Sequence, residues 1–581
     1  MANPLLVLIT RPFARRPGRH PTRPRVQVPT EVPSTDAIFL VMRRMRTSII
    51  CLVVIFAVSV AGLAVIPGQD AAGNPARMTV FDAFYFMSYT ATTIGFGELP
   101  HAFTTAQRMW VTLSIYASVI GWAYAIGSLF ALLQDRAFRE AVLVQRVRRK
   151  VRRLDEPFLV VAGYGQAGRL VCRALDEARR RFVVVDQSRD HIDSLEAHQL
   201  AVEAPALEGD ASSPAVLGLV GLGHRHCEGV LALTDDDDDN LAVVMTVTLL
   251  RPDLPVIARC HDRVVAERMR AFGPTAVINP SDRYGEYLTL ALQRPVTHQL
   301  LTWLMSPAGT PLPPARPGLA SGRGVVCADG QFGVEVAEDL RVAGLDVAMA
   351  DPREGTPDLT GAVGLVAGTD RDATNLALAE QARLGNPDLF LSVRQQTHGN
   401  SALVEALDID SVHVSTELVA RETLARVVTP VYWSFLEHAL HADDGWSGAL
   451  LERLRDRCGD RTPGRELVRL DAERAPAVVR WLEGHELTLG DLLRHPEDRT
   501  RTLPAVPLLL VRDEGTVVTP SDDEPLRPGD QLLLAERRGA GALLSRTLFY
   551  DAAVEYVATG RVVPSTWLWR QLSRRTPART G

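Results

Sequence analysis

Two short stretches combine residue types and spacing that can do chemistry. In Thr90-Ala91-Thr92-Thr93-Ile94-Gly95-Phe96-Gly97-Glu98, two alternating glycines follow a run of threonines. A cation leaving water needs oxygens in place of its hydration shell, and backbone carbonyls from four copies of such a loop can supply them. Gly95 and Gly97 let successive carbonyls face one way, because alternate residues must reach backbone angles that a Cβ disfavours. Thr93 adds a hydroxyl at the inner end, so the candidate cation-coordinating residues are Thr93, Ile94, Gly95, Phe96 and Gly97. The second stretch, Gly163-Tyr164-Gly165-Gln166-Ala167-Gly168, has the spacing of a phosphate-cradling turn.

That turn follows the apolar run Phe158 to Ala162 and opens a helical pattern reaching about Arg179; the run Phe182 to Val185 then ends on Asp186, 18 residues past Gly168. Glycines allow the tight turn, the approach of a pyrophosphate and close helix–strand contact, while the helix N-terminus faces the phosphates. Asp186 is placed to hold ribose hydroxyls, which favours NAD, NADH or an adenine nucleotide over a 2′-phosphorylated cofactor. Further short apolar strands end at Gly209-Asp210, Thr234 and Arg259, the pattern of a parallel sheet with its ligand at the carboxyl edge. The acidic run Asp235, Asp236, Asp237, Asp238, Asp239 follows the fourth strand. It reads as a solvated loop, with a divalent site for Ca²⁺ as the alternative, since hard oxygen ligands suit that ion.

These stretches need elements to hold them. Ser48 to Ile66 and Trp110 to Leu133 are uncharged apolar runs of bilayer-spanning length. Basic residues precede the first (Arg43, Arg44, Arg46) and follow the second (Arg136 through Arg153), which puts both flanks on the cytoplasmic side and residues 67–109 outside. Thr79 to Thr92 is apolar and too short to cross, so it reads as a re-entrant half-helix; backbone after it is tolerated at membrane depth only inside protein or lining a pore. Gly121 in the second span is either a gating hinge or a point of close helix contact. One chain provides one strand of a carbonyl cage, so closure demands a homotetramer.

At 581 residues, several domains are expected. The formal net charge of −6 conceals basic flanks around the apolar N-terminal region and an acidic remainder, a distribution that favours membrane lipid over nucleic acid as the partner. Six scattered cysteines lack C-x-x-C spacing, and Lys150 is the only lysine, which excludes a Walker-type phosphate loop and a Schiff-base site elsewhere. No nucleophile–base pair stands out, so no enzymatic activity is expected; a membrane-tethered NAD-dependent oxidoreductase, or the nucleotide-sensing subunit of a separate transporter, is the alternative.

T-x-T-T-I-G-F-G resembles the selectivity filter of potassium channels, with Phe96 where tyrosine is commoner and Glu98 where aspartate is commoner. A glycine-rich nucleotide fold behind a two-span pore resembles the regulator-of-potassium-conductance (RCK) family, whose members form cytoplasmic gating rings. The resemblance implies that Gly163, Gly165, Gly168, Asp186 and Asp210 contact the regulatory nucleotide and that K⁺ is the permeant ion. It also implies a cell-membrane protein with both termini cytoplasmic. Val325 to Gly333 and Val347 to Asp351 repeat the first unit, and Thr369-Asp370…Asn375-Leu376 repeats Thr234-Asp235…Asn240-Leu241. In the second copy Ala328 replaces the first glycine and a strand is missing, leaving Gly330, Gly333 and Asp351 as a degenerate site. Leu526-Arg527-Pro528-Gly529-Asp530 and the apolar residues after it resemble the family's C-terminal subdomain.

The expected fold class is multi-domain: an α-helical two-span pore, α/β Rossmann-like lobes and a small α+β lobe. The expected divisions are a basic disordered tail (1–47), pore (48–135), basic linker (136–156) and first lobe with its crossover helix (157–306). A Pro/Gly linker (307–324), a second lobe with crossover (325–440), a C-terminal subdomain (441–546) and a tail (547–581) complete the chain. The crossover helices are expected to pack against a neighbouring subunit.

Overall fold

The computed structural model describes residues 28–29, 35–70, 74–97, 102–315, 322–396 and 400–562. Two of its helices are long and apolar enough to cross a membrane. Helix α1 spans Thr35–Val65, α2 Val80–Ala91, α3 Thr105–Gln134 and α4 Arg136–Arg152. Residues 35–47 were expected to be unstructured and instead form the first turns of α1, because extending a helix that a span has already nucleated is far easier than starting one. The remainder of the expected tail, apart from Val28 and Pro29, lies outside the described residues.

The spans α1 and α3 touch through small residues. A Cβ on Gly62 would overlap the Trp110 ring, whose Nε1 donates to the Ser59 carbonyl at 3.0 Å. A Cβ on Gly121 would sit 3.0 Å from Ile55 Cδ1, so Gly121 works here as a contact point inside an uninterrupted helix. Near the other end of the pair the Ser48 hydroxyl donates to Ser128 Oγ at 2.8 Å.

The expected basic linker is a helix. Asp135, in extended backbone, breaks α3 from α4. Among the arginines of α4, Val144, Val147 and Val151 recur at helical spacing and join the first lobe's core together with Leu154. The second span is thus joined to the first lobe by a packed helix.

The first lobe has six parallel strands: β1 Phe158–Ala162, β2 Arg181–Asp186, β3 Ala206–Glu208, β4 Cys227–Ala232, β5 Val256–Arg259 and β6 Ala276–Ile278. Their order is β3-β2-β1-β4-β5-β6, with Val160 opposite both Val183 and Val230. Helix α5, Gln166–Glu177, follows β1; α6, Pro214–Leu219, follows β3; α7, Asp237–Leu250, follows β4. Buried Val/Leu/Ile strands carrying cores on both faces account for the near-continuous apolar runs.

Each crossover is two helices broken at an X-Pro step: α8 Pro280–Gln293 with α9 Pro295–Met305, and later a second pair broken at Thr429-Pro430. The second lobe comprises β7 Arg323–Cys327, α10 Gly330–Val342, β8 Asp346–Ala350, β9 Ala362–Ala367, β10 Phe390–Gln395 and β11 Ser411–Val414. Its order, β8-β7-β9-β10-β11, lacks a counterpart of β3. The second crossover is α11 Ser415–Val428 and α12 Pro430–His441, followed by α13 Asp444–Cys458.

Contrary to expectation, the crossovers exchange partners within the chain. Tyr284 and Leu288 of α8 pack on Phe332, Val336 and Leu340 of the second lobe, while Val419, Ala420 and Val427 of α11 pack on Val171 and Leu175 of the first. The two apolar stripes are alike, so each can cover the other copy's open face. Arg283, at 3.0 Å from the nearly buried Glu422, ties the crossovers together, and Arg263 reaches Asp339 at 2.6 Å across the lobes.

The Pro/Gly linker is partly structured: the Gly309 and Leu312 amides donate to the Thr462 and Asp460 carbonyls at 2.9 Å, and residues 316–321 lie outside the described set. The C-terminal lobe is an antiparallel sheet of β12 Gly464–Arg469, β13 Ala505–Arg512, β14 Gly515–Val518 and β15 Gln531–Glu536, ordered β12-β15-β13-β14. It runs beyond the expected boundary at 546. Helices α14 Ala540–Phe549 and α15 Asp551–Thr559 pack on it, with Val554 and Val557 fully buried, so residues 547–559 belong to the lobe.

In this lobe Glu466 and Glu536 share one sheet face, two positions apart across the β12–β15 register. Burial, then the charge of Glu466, pushes the Glu536 carboxyl up to about 7 from 4.5. A folded-state value raised this way gives stability that is complete below the unfolded value and is lost as pH rises through about 7. Protease resistance of residues 460–559 is therefore expected to fall between about pH 5 and about pH 8, and Glu536→Gln to flatten that dependence.

Candidate functional site

The half-helix α2 begins at Thr79, whose hydroxyl accepts from the Asp82 amide at 3.1 Å. At its other end the Tyr89 carbonyl receives the amides of Ile94 (3.0 Å) and Gly95 (3.2 Å), folding the following loop back over the helix terminus. Thr93, Gly95 and Gly97 lie at φ +63°, +63° and +72°, alternating with Ile94 and Phe96. Left-handed angles at every second residue turn successive carbonyls toward one side, which is the geometry a line of cation sites requires. Thr93 is β-branched, and a positive φ there is held against its own preference. The Phe96 ring meets the Tyr89 ring edge-on at 6.0 Å, yet Ile94 and Phe96 stay 61% and 69% exposed in the single chain. Glu98 lies outside the described residues.

The second site forms at the carboxyl edge of the first sheet. Gly163 has φ +99°, and a Cβ there would come within 2.6 Å of the Thr234 amide nitrogen. A Cβ on Gly168 would overlap the Gly163 carbonyl, so the turn and α5 touch backbone to backbone. Gly165 is the N-cap of α5 with no side-chain cap, which turns the helix start toward the crevice. The Tyr164 and Ala167 side chains are buried in the core, leaving their backbone at the turn.

Asp186 ends β2 and fastens the turn: Oδ2 accepts from the Tyr164 amide at 2.5 Å, and Oδ1 accepts from the Ser188 amide at 2.8 Å with His191 Nδ1 at 3.0 Å. A carboxylate has about four lone-pair positions, so Oδ2 keeps capacity for a hydroxyl. Asp210 accepts from the Ser212 amide at 2.8 Å. Gln187, which the sequence reading passed over, has its Nε2 3.4 Å from Asp210 Oδ1 and 3.0 Å from Asp239 Oδ2. Its position just after a strand end was the clue, because ligands of parallel sheets sit there.

The acidic run is no simple loop. Asp236 caps α7, taking the amides of Asp238 and Asp239, so residues 237–239 are the helix's first turn. Asp235 pairs with buried Arg259 at 2.5 Å. Asp237 accepts from the His261 and Asp262 amides; burial raises its pKa, but hydrogen bonds from His261 and those amides outweigh it and bring the carboxyl down to about 2. Burial, then the charges of Asp236 and Asp210, push Asp239 upward. The carboxylates are dispersed over separate partners, and among the described residues no three His, Cys, Asp or Glu side chains converge to hold a metal ion. The chain presents a loop with left-handed backbone at alternate residues and an acid-edged crevice beside a glycine turn.

The second copy keeps the framework and differs at the turn and the strand edge. The Asn375 side chain clamps Thr369 and the Arg394 carbonyl just as Asn240 clamps Thr234 and the Arg259 carbonyl. Gly330 lies at φ +65° where its counterpart Gly165 lies at −66°, and a Cβ on Gly333 would sit 2.7 Å from the Ala328 Cβ. Phe332, however, stands where the first copy has Ala167, buried with Arg394 stacked 4.4 Å over its ring. Asp351 faces Arg353, and among the described residues the second sheet has no counterpart of β3 and hence none of Asp210.

Residues 48–135 match the ion-channel family and residues 159–280 the TrkA-N domain. The probable potassium channel protein 2 of Methanocaldococcus jannaschii is 23% identical over 201 residues, 34% of this chain and 57% of that protein. The voltage-gated potassium channel Kch of Escherichia coli is 24% identical over 208 residues, 36% of this chain and 48% of that one. The chain thus spans about half the length of these relatives or less, and an uncharacterized protein of Methanothermus fervidus matches over 34% of its length at 25% identity. Among solved structures, the GsuK channel bound to NAD covers 89% of this chain at 14% identity, with a TM-score of 0.40.

Proposed function

We propose that this chain, an ion-channel domain joined to a TrkA-N domain, is a potassium channel gated by a nucleotide in its first Rossmann lobe. The observation that carries the reading is the alternation of left-handed backbone at Thr93, Gly95 and Gly97 at the mouth of a half-span helix. Four chains close the carbonyl cage, and the exposed Ile94, Phe96 and outer α3 side chains are then covered by neighbours and lipid. Both basic stretches, in the first turns of α1 and along α4, face the cytoplasm of a cell-membrane protein.

NAD, NADH or an adenine nucleotide lies across Gly163–Gly168, with phosphates at the start of α5 and ribose hydroxyls on Asp186 and Asp210. Gly330, Gly333 and Asp351 take no nucleotide, and the second lobe serves as the first lobe's packing partner. The ligand contributes binding energy that differs between two arrangements of the lobes, and the pore shifts by no more than that difference. Helix α4, embedded in the lobe core, carries the shift to α3. No bond is made or broken, so the chain acts as a channel and not as an oxidoreductase.

The test is potassium flux from liposomes holding the purified chain, with and without NAD, NADH, ADP, ATP and Ca²⁺. Flux that responds to a nucleotide supports the reading. A tetramer that binds nucleotide yet conducts nothing would move the chain to the sensing subunit of a separate transporter. Replacing Asp186 by Asn is expected to weaken NAD binding roughly tenfold by removing a charged acceptor, and to narrow discrimination against NADP, as read by calorimetry.

A further inference from the structure

The segment that follows Asp210 holds three glycines within six residues, Gly218, Gly221 and Gly223; two face Val28–Pro29 and the third faces Phe158 and α4. A Cβ on Gly218 would overlap the carbonyl oxygen of Pro29 and lie 3.2 Å from Val28 Cγ1. A Cβ on Gly223 would lie 3.6 Å from Val28 Cβ. Gly221, at φ +103°, faces Val151 of α4, where a Cβ would come within 2.8 Å of its Cγ1. Val28 itself packs on the first lobe's core beside Val144 and Val216.

Two approaches to the membrane therefore meet on one short stretch. Val151 belongs to α4, the helix that follows the second span, and Val28–Pro29 precede α1, which starts at Thr35 and whose apolar span begins at Arg46. The same stretch begins at the nucleotide edge. The Gly209 amide donates to the Asp186 carbonyl at 2.9 Å, the Ser213 amide to the Asp210 carbonyl at 3.2 Å, and α6 starts immediately afterwards.

We infer that Val28–Pro29 form a strap that fastens the N-terminal end of the first span to the sensor lobe at Gly218 and Gly223. Nucleotide at Asp186 and Asp210 then acts on both spans at once through residues 210–223, pulling on α3 through Val151 and on α1 through the strap. The bare glycine at 218 fits this role, since a side chain there would occupy the strap's seat, while position 223 lies in ordinary contact with Val28. The seat stands independently of the gated-channel reading, and only the functional consequence rests on it.

The experiment uses the full chain with Cys51→Ala and the pair Val28→Cys and Gly223→Cys. Disulfides form where Cβ atoms approach to about 3.5–4.5 Å, so mild oxidation is expected to join these two positions, identified by peptide mapping. Thiols that stay separate under oxidation overturn the strap. In parallel, Gly218→Val evicts Pro29. Calorimetry is expected to show nucleotide affinity unchanged, while the ratio of liposome flux with and without nucleotide falls by about fivefold or more, the scale of a lost coupling. A joined pair combined with an unaltered flux ratio in Gly218→Val overturns transmission through the strap. A parent chain whose flux ignores every nucleotide overturns the gating proposal, and the crosslink then decides the seat alone.

Discussion

Alanine at Gly95 is expected to abolish potassium flux while leaving the proposed tetramer and its nucleotide binding intact. Nothing lies within 4 Å of the position its Cβ would take, so the effect in one chain is conformational, not steric. Gly95 sits at φ +63°, where an L-residue costs roughly 1–2 kcal/mol. In a ring of four the cost is about 4–8 kcal/mol, and the cheaper solution is to move the residue to extended backbone and swing its carbonyl out of line. At about 1.4 kcal/mol per factor of ten, the ordered cage falls to a thousandth of the population or less. Gly127→Ala is the matching control: it too has open space around it, but it is helical and has no positive φ, so alanine there can only favour the helix. Flux measured for both variants in liposomes separates the two. Parent-like conduction by Gly95→Ala would remove the carbonyl line from the ion's path.

Those parts of the molecule that depend on backbone geometry could be read from the residues. Gly95, Gly97, Gly163 and Gly168 are each required by a positive φ or by contact closer than a Cβ allows, and glycine is the one residue type that reveals such a need. The missing third strand of the second copy was visible in the spacing of recurring landmarks, because Asp351 to Thr369 is 18 residues where Asp186 to Thr234 is 48. What depends on partner surfaces was hidden. The stripes of α8 and α11 announce an apolar face but not whether it meets another subunit or the other copy in the same chain. Helix α4 was obscured by its arginines, although Val144, Val147, Val151 and Leu154 keep a three- or four-residue period. The five aspartates were read by charge alone, when Asp236 ahead of an apolar period is also a helix-start signal. Phe332 against Ala167 is a difference legible in the aligned copies, but its consequence depends on Arg394, which only the folded sheet brings above the ring.

Aspartate at Gly165 is expected to remove the nucleotide response and leave the pore conducting. Gly165 caps α5, and a Cβ there would lie 3.3 Å from Asp235 Oδ2, close but outside overlap, so the lobe still folds around a substituted residue. The added carboxylate then stands beside Asp235 at the helix start. Its own attraction to the helix N-terminus, about 0.3–1 kcal/mol, helps keep it there, which makes it an anion competing for the place the phosphates take. Two like charges about 4 Å apart repel by about 4 kcal/mol at the effective dielectric of a protein surface, so nucleotide affinity is expected to drop by a factor of about a hundred or more. Because a ligand shifts a conformational equilibrium only through its differential affinity, losing the binding removes the shift entirely and the pore stays at its ligand-free setting. Calorimetry with ADP and NAD, alongside liposome flux, reads both halves of the expectation. Retained binding in Gly165→Asp would place the nucleotide away from the glycine turn. Lost binding with lost basal flux would mean the turn is needed to hold the lobe itself, and the milder Asp186→Asn would then carry the separation of sensing from conduction.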